Sequence, residues 1–167
     1  MIEERAALGL LEKGLAYSKA QETDLYLSGQ DLGLTRFAGN AIHQNVVHSN
    51  AVLNVRAVEG RRVGRATTND LGDAGIQKAV DAARQAALLM PEDPDFWGLP
   101  EPPPPPQVAS WDESTAHCSP ELRARLVSGI CALGQAEQLN TSGACRTGIQ
   151  EQAVVSSRGV RAYHAGT

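Results

Sequence analysis

Aromatic side chains make up only 4% of this 167-residue chain. Its core must therefore be built from Ala, Val, Leu and Ile rather than from large rings. Basic residues are also sparse: 15 Lys and Arg stand against 19 Asp and Glu, for a net charge of −4. They form no long stripe, so the concentrated cationic footprint of a nucleic-acid surface is missing, and no direct nucleic-acid partner is expected. No apolar run approaches the length of a membrane span. Residues 1–5 carry acids where a secretion signal carries bases. The three cysteines, Cys118, Cys131 and Cys145, include no Cys-x-x-Cys pair. That excludes a zinc ribbon or a redox dithiol and leaves buried structural thiols in a reducing compartment. Together these absences predict a soluble, cytoplasmic protein without a membrane partner.

The motifs of common chemistry are missing too. There is no His-Glu-x-x-His helix, no Gly-x-Ser-x-Gly elbow, no phosphate-binding loop and no Gly-x-Gly-x-x-Gly fingerprint. The histidines are His43, His48, His117 and His164. His43 and His48 lie five apart, which in a regular strand puts them on opposite faces. His117 adjoins Cys118, and neighbours in sequence rarely converge on one ion. The acids Asp24, Asp31, Glu59, Asp70 and Asp73 are scattered. Ser156 and Ser157 have no His or Asp partner at a readable spacing. No catalytic, cofactor-binding or metal-binding residue is therefore assigned.

What is present reads as an α+β fold. Leu8, Leu11 and Leu15 share a face and predict a helix over 2–19. Short alternating strands follow, with turns at Gly39-Asn40 and Glu59-Gly60, and their short links predict antiparallel pairing. A second helix should start at Asp70 or Asp73. It carries the stripe Ile76, Val80, Ala83 and Ala87, and it stops before Pro91. Between Gly60 and Gly64, turn geometry and close backbone approach explain the two glycines. Residues 91–118 are proline-rich, with five consecutive prolines at 102–106. They predict a semi-rigid polyproline II spacer of roughly 3.1 Å per residue. Ser119-Pro120-Glu121 then opens a helix whose apolar face is Leu122, Leu126, Ile130 and Leu133. Further strands are expected at 144–150, 152–156 and 160–165. The expected organisation is an N-terminal domain at 1–90, an antiparallel sheet with helices on one face. The linker at 91–118 follows, and then a second small α/β segment at 119–167. The chain's end in or near a strand suggests a truncated second domain.

Two stretches carry more than composition. Leu53 to Leu71, with Gly60-Arg61-Arg62-Val63-Gly64 and the Thr68-Asn69-Asp70-Leu71 cap, runs into an Ala-rich helix. This stretch resembles the TldD/PmbA family of metalloproteases, also called the modulator of DNA gyrase family. So does the turn at 155–160, where Ser156 replaces the usual Asn. The linker Pro94-Asp95-Phe96-Trp97-Gly98-Leu99-Pro100 is similar to that of PmbA-like members. The resemblance implies the N-terminal region of a dimeric, peptide-degrading or peptide-maturing enzyme. It implies zinc in the full-length catalytic members, held by a helix not found here, so no metal residue can be carried over. It also implies a same-family subunit as partner, in a homo- or heterodimer, and a peptide substrate held by strand addition.

The residues leave three readings open. The chain is the non-catalytic front of such a protease or of its partner subunit, or a stand-alone binding or adaptor module, or a small enzyme with a dispersed site. The first predicts further coding sequence and an exposed strand edge or a large apolar patch where the missing domain docks. The second predicts a stop codon near Thr167. The third predicts a deep pocket with convergent titratable groups.

Overall fold

The computed structural model describes residues 2–102 and 108–167. The run of prolines read as a spacer falls largely on 103–107, outside the described residues.

The first helix, α1 (Glu4–Tyr17), turns Ala7, Leu8 and Leu11 inward. It leads into β1 (Glu22–Ala38), β2 (Ala41–Glu59) and β3 (Arg62–Thr68). The short strands expected over 24–47 prove to be two long ones, of 17 and 19 residues. The reason lies in pairing rather than propensity. β1 is bonded on both sides, to β2 and to β4 (Gly143–Ser156), so the ladder carries it through Gly29 and Gly33. At the β1–β2 turn Gly39 and Asn40 both have positive φ, 58° and 59°, as a tight two-residue hairpin requires. Gly60, φ 65°, makes the next turn.

Helix α2 (Asp73–Leu89) presents Ile76, Ala79, Val80, Ala83 and Ala87 to the sheet. Its first turn differs from expectation. Gly72 is the capping residue, and the Asp70 carboxylate accepts from the Gly72 amide instead of from the helix. Asp73 is the first helical residue and pairs with Lys13 of α1 at 2.6 Å. A short helix the sequence did not signal, α3 (Glu113–Ala116), is capped by Asp112, which accepts from Thr115 N at 2.7 Å. The last helix, α4 (Pro120–Ala136), starts as expected: Ser119 Oγ accepts from Leu122 N and Pro120 occupies the first turn.

All five strands, ending with β5 (Arg161–Gly166), form one antiparallel sheet in the order β3-β2-β1-β4-β5. Strands from both sides of the proline-rich segment are thus direct neighbours: β4 pairs with β1 from Asp24–Ser156 to Phe37–Gly143. Odd-numbered β1 residues face the helices. Leu25 and Leu27 meet α1 and α2 in the main core, while Phe37 meets Val127 and Cys131 of α4 in a smaller one. The helices therefore share one face of the sheet. Among the described residues, the other face carries a segment at its lower rim, where Leu99 is buried and donates its amide to Glu22 Oε2 at 2.8 Å, and Val108 and Ser110 beside β5. At the rim Arg61 also holds the carbonyls of Pro94 and Phe96 and lies 4.9 Å from the Trp97 ring centre.

A buried carboxylate fastens the chain's start to the sheet. Glu151 of β4 accepts from Ile2 N at 2.7 Å and from the Tyr163 hydroxyl at 2.9 Å. Burial, followed by the bond to Glu151 and its charge, pushes Tyr163 from 10.0 up to about 12. The unfolded chain releases this proton near pH 10, whereas the folded chain holds it. This part of the stability is thus whole below pH 10 and is lost as pH rises through 12. Tyr163→Phe is expected to flatten that alkaline decline, and urea denaturation at a series of pH values reads it directly. An unchanged slope would contradict the linkage.

Candidate functional site

The residues that carried chemical interest in the sequence are dispersed by the fold. His43 is the residue the β1–β2 ladder skips, between the pairs Phe37–Ile42 and Arg36–Gln44. His48 pairs with Leu32, far along the same strand. His117 follows α3 and sits 3.1 Å from Glu113. His164 is on β5, 2.9 Å from Ser110 Oγ. Cys118, Cys131 and Cys145 are free thiols, and only Cys131 is fully buried. Among the described residues, no three His, Cys, Asp or Glu side chains come together as a metal site. The acids serve structure: Asp24 bridges Arg56 (3.1 Å to Nε) and Glu59 pairs with Arg84 at 2.7 Å. Ser156 Oγ accepts from the Arg158 and Val160 amides, and Ser157 Oγ from Thr23 N, so both hydroxyls hold the β4–β5 turn.

Two surfaces remain. The first corrects the expectation for α4. Leu122, Leu126, Ile130 and Leu133 do not face the sheet; they are 40%, 56%, 50% and 64% exposed. The inward stripe lies one residue further on, at Arg123, Val127, Cys131 and Gly134. The sheet surface under α4 explains the rotation. Gly33 leaves a space that the Arg123 guanidinium fills; a Cβ there would lie 2.4 Å from its Cζ. Arg123 Nη1 donates to Cys118 O (2.8 Å) and Thr147 Oγ1 (3.0 Å). A Cβ on Gly134 would meet Thr141 Cγ2 at 2.6 Å, so that turn must lie against the loop before β4. A long polar side chain and a glycine thus occupy the buried side, and four large aliphatic side chains face outward. Contiguous exposed apolar surface of this kind marks an interaction site. Near it, among the described residues, β2 has no strand partner on its outer edge over 41–52, because β3 covers only 53–59.

The second surface is the helix-free face of the sheet. Three adjoining hollows of about 430, 250 and 480 Å³ run diagonally across it. The first two share Tyr26 and Val154, and the last two share Gln152 and His164. All are open to solvent, and none draws together an acid–base or nucleophile–base pair within bonding distance.

With the geometry in place, comparison with known proteins is informative. Residues 23–87, from the start of β1 almost to the end of α2, match the family described as PmbA/TldA metallopeptidase domain 1. That stretch is similar to the first, N-terminal domain of TldD/PmbA-type proteins. No curated protein matches the sequence. Three solved structures share the fold. TldE from Thermococcus kodakarensis superposes with a TM-score of 0.84 at 19% identity, over 95% of this chain and 36% of that one. A proposed modulator of DNA gyrase from Bacteroides thetaiotaomicron gives 0.83 at 15% identity, over 99% and 39%. Another, from Thermotoga maritima, gives 0.77 at 10% identity, over 95% and 37%. The chain therefore spans little more than a third of the length of these TldD/PmbA-type structures. The match at 23–87 includes the Gly60–Gly64 stretch that carried the resemblance, whereas the turn at 155–160 lies beyond it.

The zinc that the family's metallopeptidase description implies has no fit here. The four histidines occupy four separate places, and no donor set converges among the described residues. No helix of the described chain is long and apolar enough to cross a membrane.

Proposed function

We propose that this chain is the non-catalytic N-terminal region of a TldD/PmbA-type zinc metalloprotease, or of its partner subunit, acting in peptide degradation or maturation. Its contribution is a docking scaffold and a surface that positions peptide. The observation that carries the reading is the outward row Leu122, Leu126, Ile130 and Leu133 on a helix whose inner side, Arg123, Val127, Cys131 and Gly134, is already packed against the sheet. These four side chains are about half exposed, so burying them on a same-family subunit would contribute roughly 1 kcal/mol each, half the value of a full burial. The β2 edge at 41–52, without a strand partner among the described residues, supports peptide positioning, since free amides and carbonyls accept an added strand. Zinc, where the complete protein holds it, would polarise a peptide carbonyl, and the described residues offer no donor set to hold it.

A peptidase assay on the complete gene product, with and without a zinc chelator, tests the enzymatic half. Loss of cleavage with chelator, restored by added zinc, is the expected result for a catalytic member. Cleavage that ignores the chelator would remove the metalloprotease reading. Cleavage that appears only when a same-family subunit is added would place this chain in the partner subunit.

A further inference from the structure

The helix-free face differs in charge from the rest of the molecule. Although the chain is acidic overall, Asp24 is the only acid among strand residues facing this side above the rim, and it is neutralised by Arg56. Asp31 and Glu151 point to the helices, where Asp31 bonds Ser49 and Glu151 bonds Ile2 N and Tyr163. Arg65 and Arg146, by contrast, sit at opposite ends of the diagonal, in the first and last hollows. Neither makes an ion pair or side-chain hydrogen bond among the described residues. The nearest acids on the crossing segment are already engaged: Asp112 caps α3, and Glu113 bonds Trp111 Nε1 and His117.

Between the two arginines the lining changes in order. Asn54 and Thr67 border the first hollow. Tyr26, Val154, Val108 and Ala162 make an apolar seat in the middle. Gln30, Gln150 and Gln152 follow, with Gly148 as a floor that carries no side chain. Amide side chains can both donate to a carbonyl and accept from an N–H, so they suit a peptide backbone. An apolar seat takes one hydrophobic side chain, and free guanidinium groups take carboxylates.

We propose that this face binds one extended peptide, lying across it with a hydrophobic side chain on Tyr26 and Val154 and acidic groups toward Arg65 and Arg146. The proposal rests on the peptide-handling part of the reading above and names the class of peptide. Charge sets the preference: an acidic peptide binds and a basic one of the same length does not.

The test is an NMR titration of the isotope-labelled 167-residue chain at low salt. The probes are acetyl-Glu-Ala-Ser-Ala-Leu-Ala-Ser-Ala-Ser-Ala-Ser-Glu-amide, roughly 40 Å long when extended and so able to reach both arginines, and its counterpart with Lys in place of both Glu. The acidic peptide is expected to shift the Tyr26, Asn54, Gln152 and His164 signals and to bind at least roughly ten-fold tighter than the basic one. Arg65→Gln with Arg146→Gln should abolish that preference while leaving the spectrum of the free protein folded. Val154→Glu should weaken the acidic peptide further. Equal binding of the two peptides, no shifts on this face, or tighter binding of a single-stranded oligonucleotide at the same residues would overturn the proposal. Because α4 lies on the other side of the sheet, subunit association can persist when this titration fails, so the two readings fall separately.

Discussion

Gly64→Val is expected to remove a large part of the protein's folding stability. β3 brings Gly64 directly beneath α2, where a Cβ would lie 2.1 Å from Ala83 O and 2.2 Å from Ala87 N. Both obstacles are helix backbone, so no rotamer change can clear them. Ala83 and Ala87 are fully buried on the other side of this contact. Accommodating even a methyl group requires α2 to lift from the sheet, which would open the cavity between Ile76, Val80 and the core leucines. Overpacking of a relaxed core costs about 1–3 kcal/mol. Here the loss should reach at least about 3 kcal/mol, and a domain of this size holds only about 5–15 kcal/mol in total. Urea denaturation, with the midpoint compared at constant slope, measures it. A loss below about 1 kcal/mol would mean that α2 does not rest on β3 as described.

The second large effect separates two adjacent residues. Val127→Asp should cost at least about 3 kcal/mol, because it places an unpaired carboxylate against Phe37 and Cys131 in the smaller core. Leu126→Gln should change folding stability by no more than about 0.5 kcal/mol, since that side chain projects into solvent. The sequence periodicity predicts the reverse order. Equilibrium unfolding of the two variants decides between them. A severe loss for Leu126→Gln in the isolated chain would restore the leucines to the core.

That reversal shows what the sequence could and could not convey. The α1 and α2 stripes were legible because Leu8, Leu11, Ile76, Val80 and Ala83 are apolar for one reason, burial in the same core. The turns at Gly39-Asn40 and Gly60 were legible because positive φ selects residue types locally. In α4 the large apolar residues face outward, and the buried side holds Arg123, whose place depends on Gly33, ninety residues earlier. A periodicity reading assigns apolar residues to the interior by default and has no means of seeing that the space is taken. The length of β1 and β2 was hidden for a related reason: Gly29 and Gly33 look like breaks until β4, more than a hundred residues later, pairs beside them. The open face was unreadable as a site. Arg65, Tyr26, Gln152 and Arg146 come from three strands and no motif, and only the strand order brings them into one diagonal.

The central claim is that α4 is a docking helix for a same-family subunit. Sedimentation of the chain over a range of concentrations, alone and mixed with a purified same-family subunit, tests it most directly. The account predicts a reversible dimer in one of the two samples, reduced to monomers by Leu122→Gln, Leu126→Gln and Ile130→Gln together, with the unfolding midpoint unchanged. A monomer in both samples, or a dimer that survives the triple replacement, would contradict it.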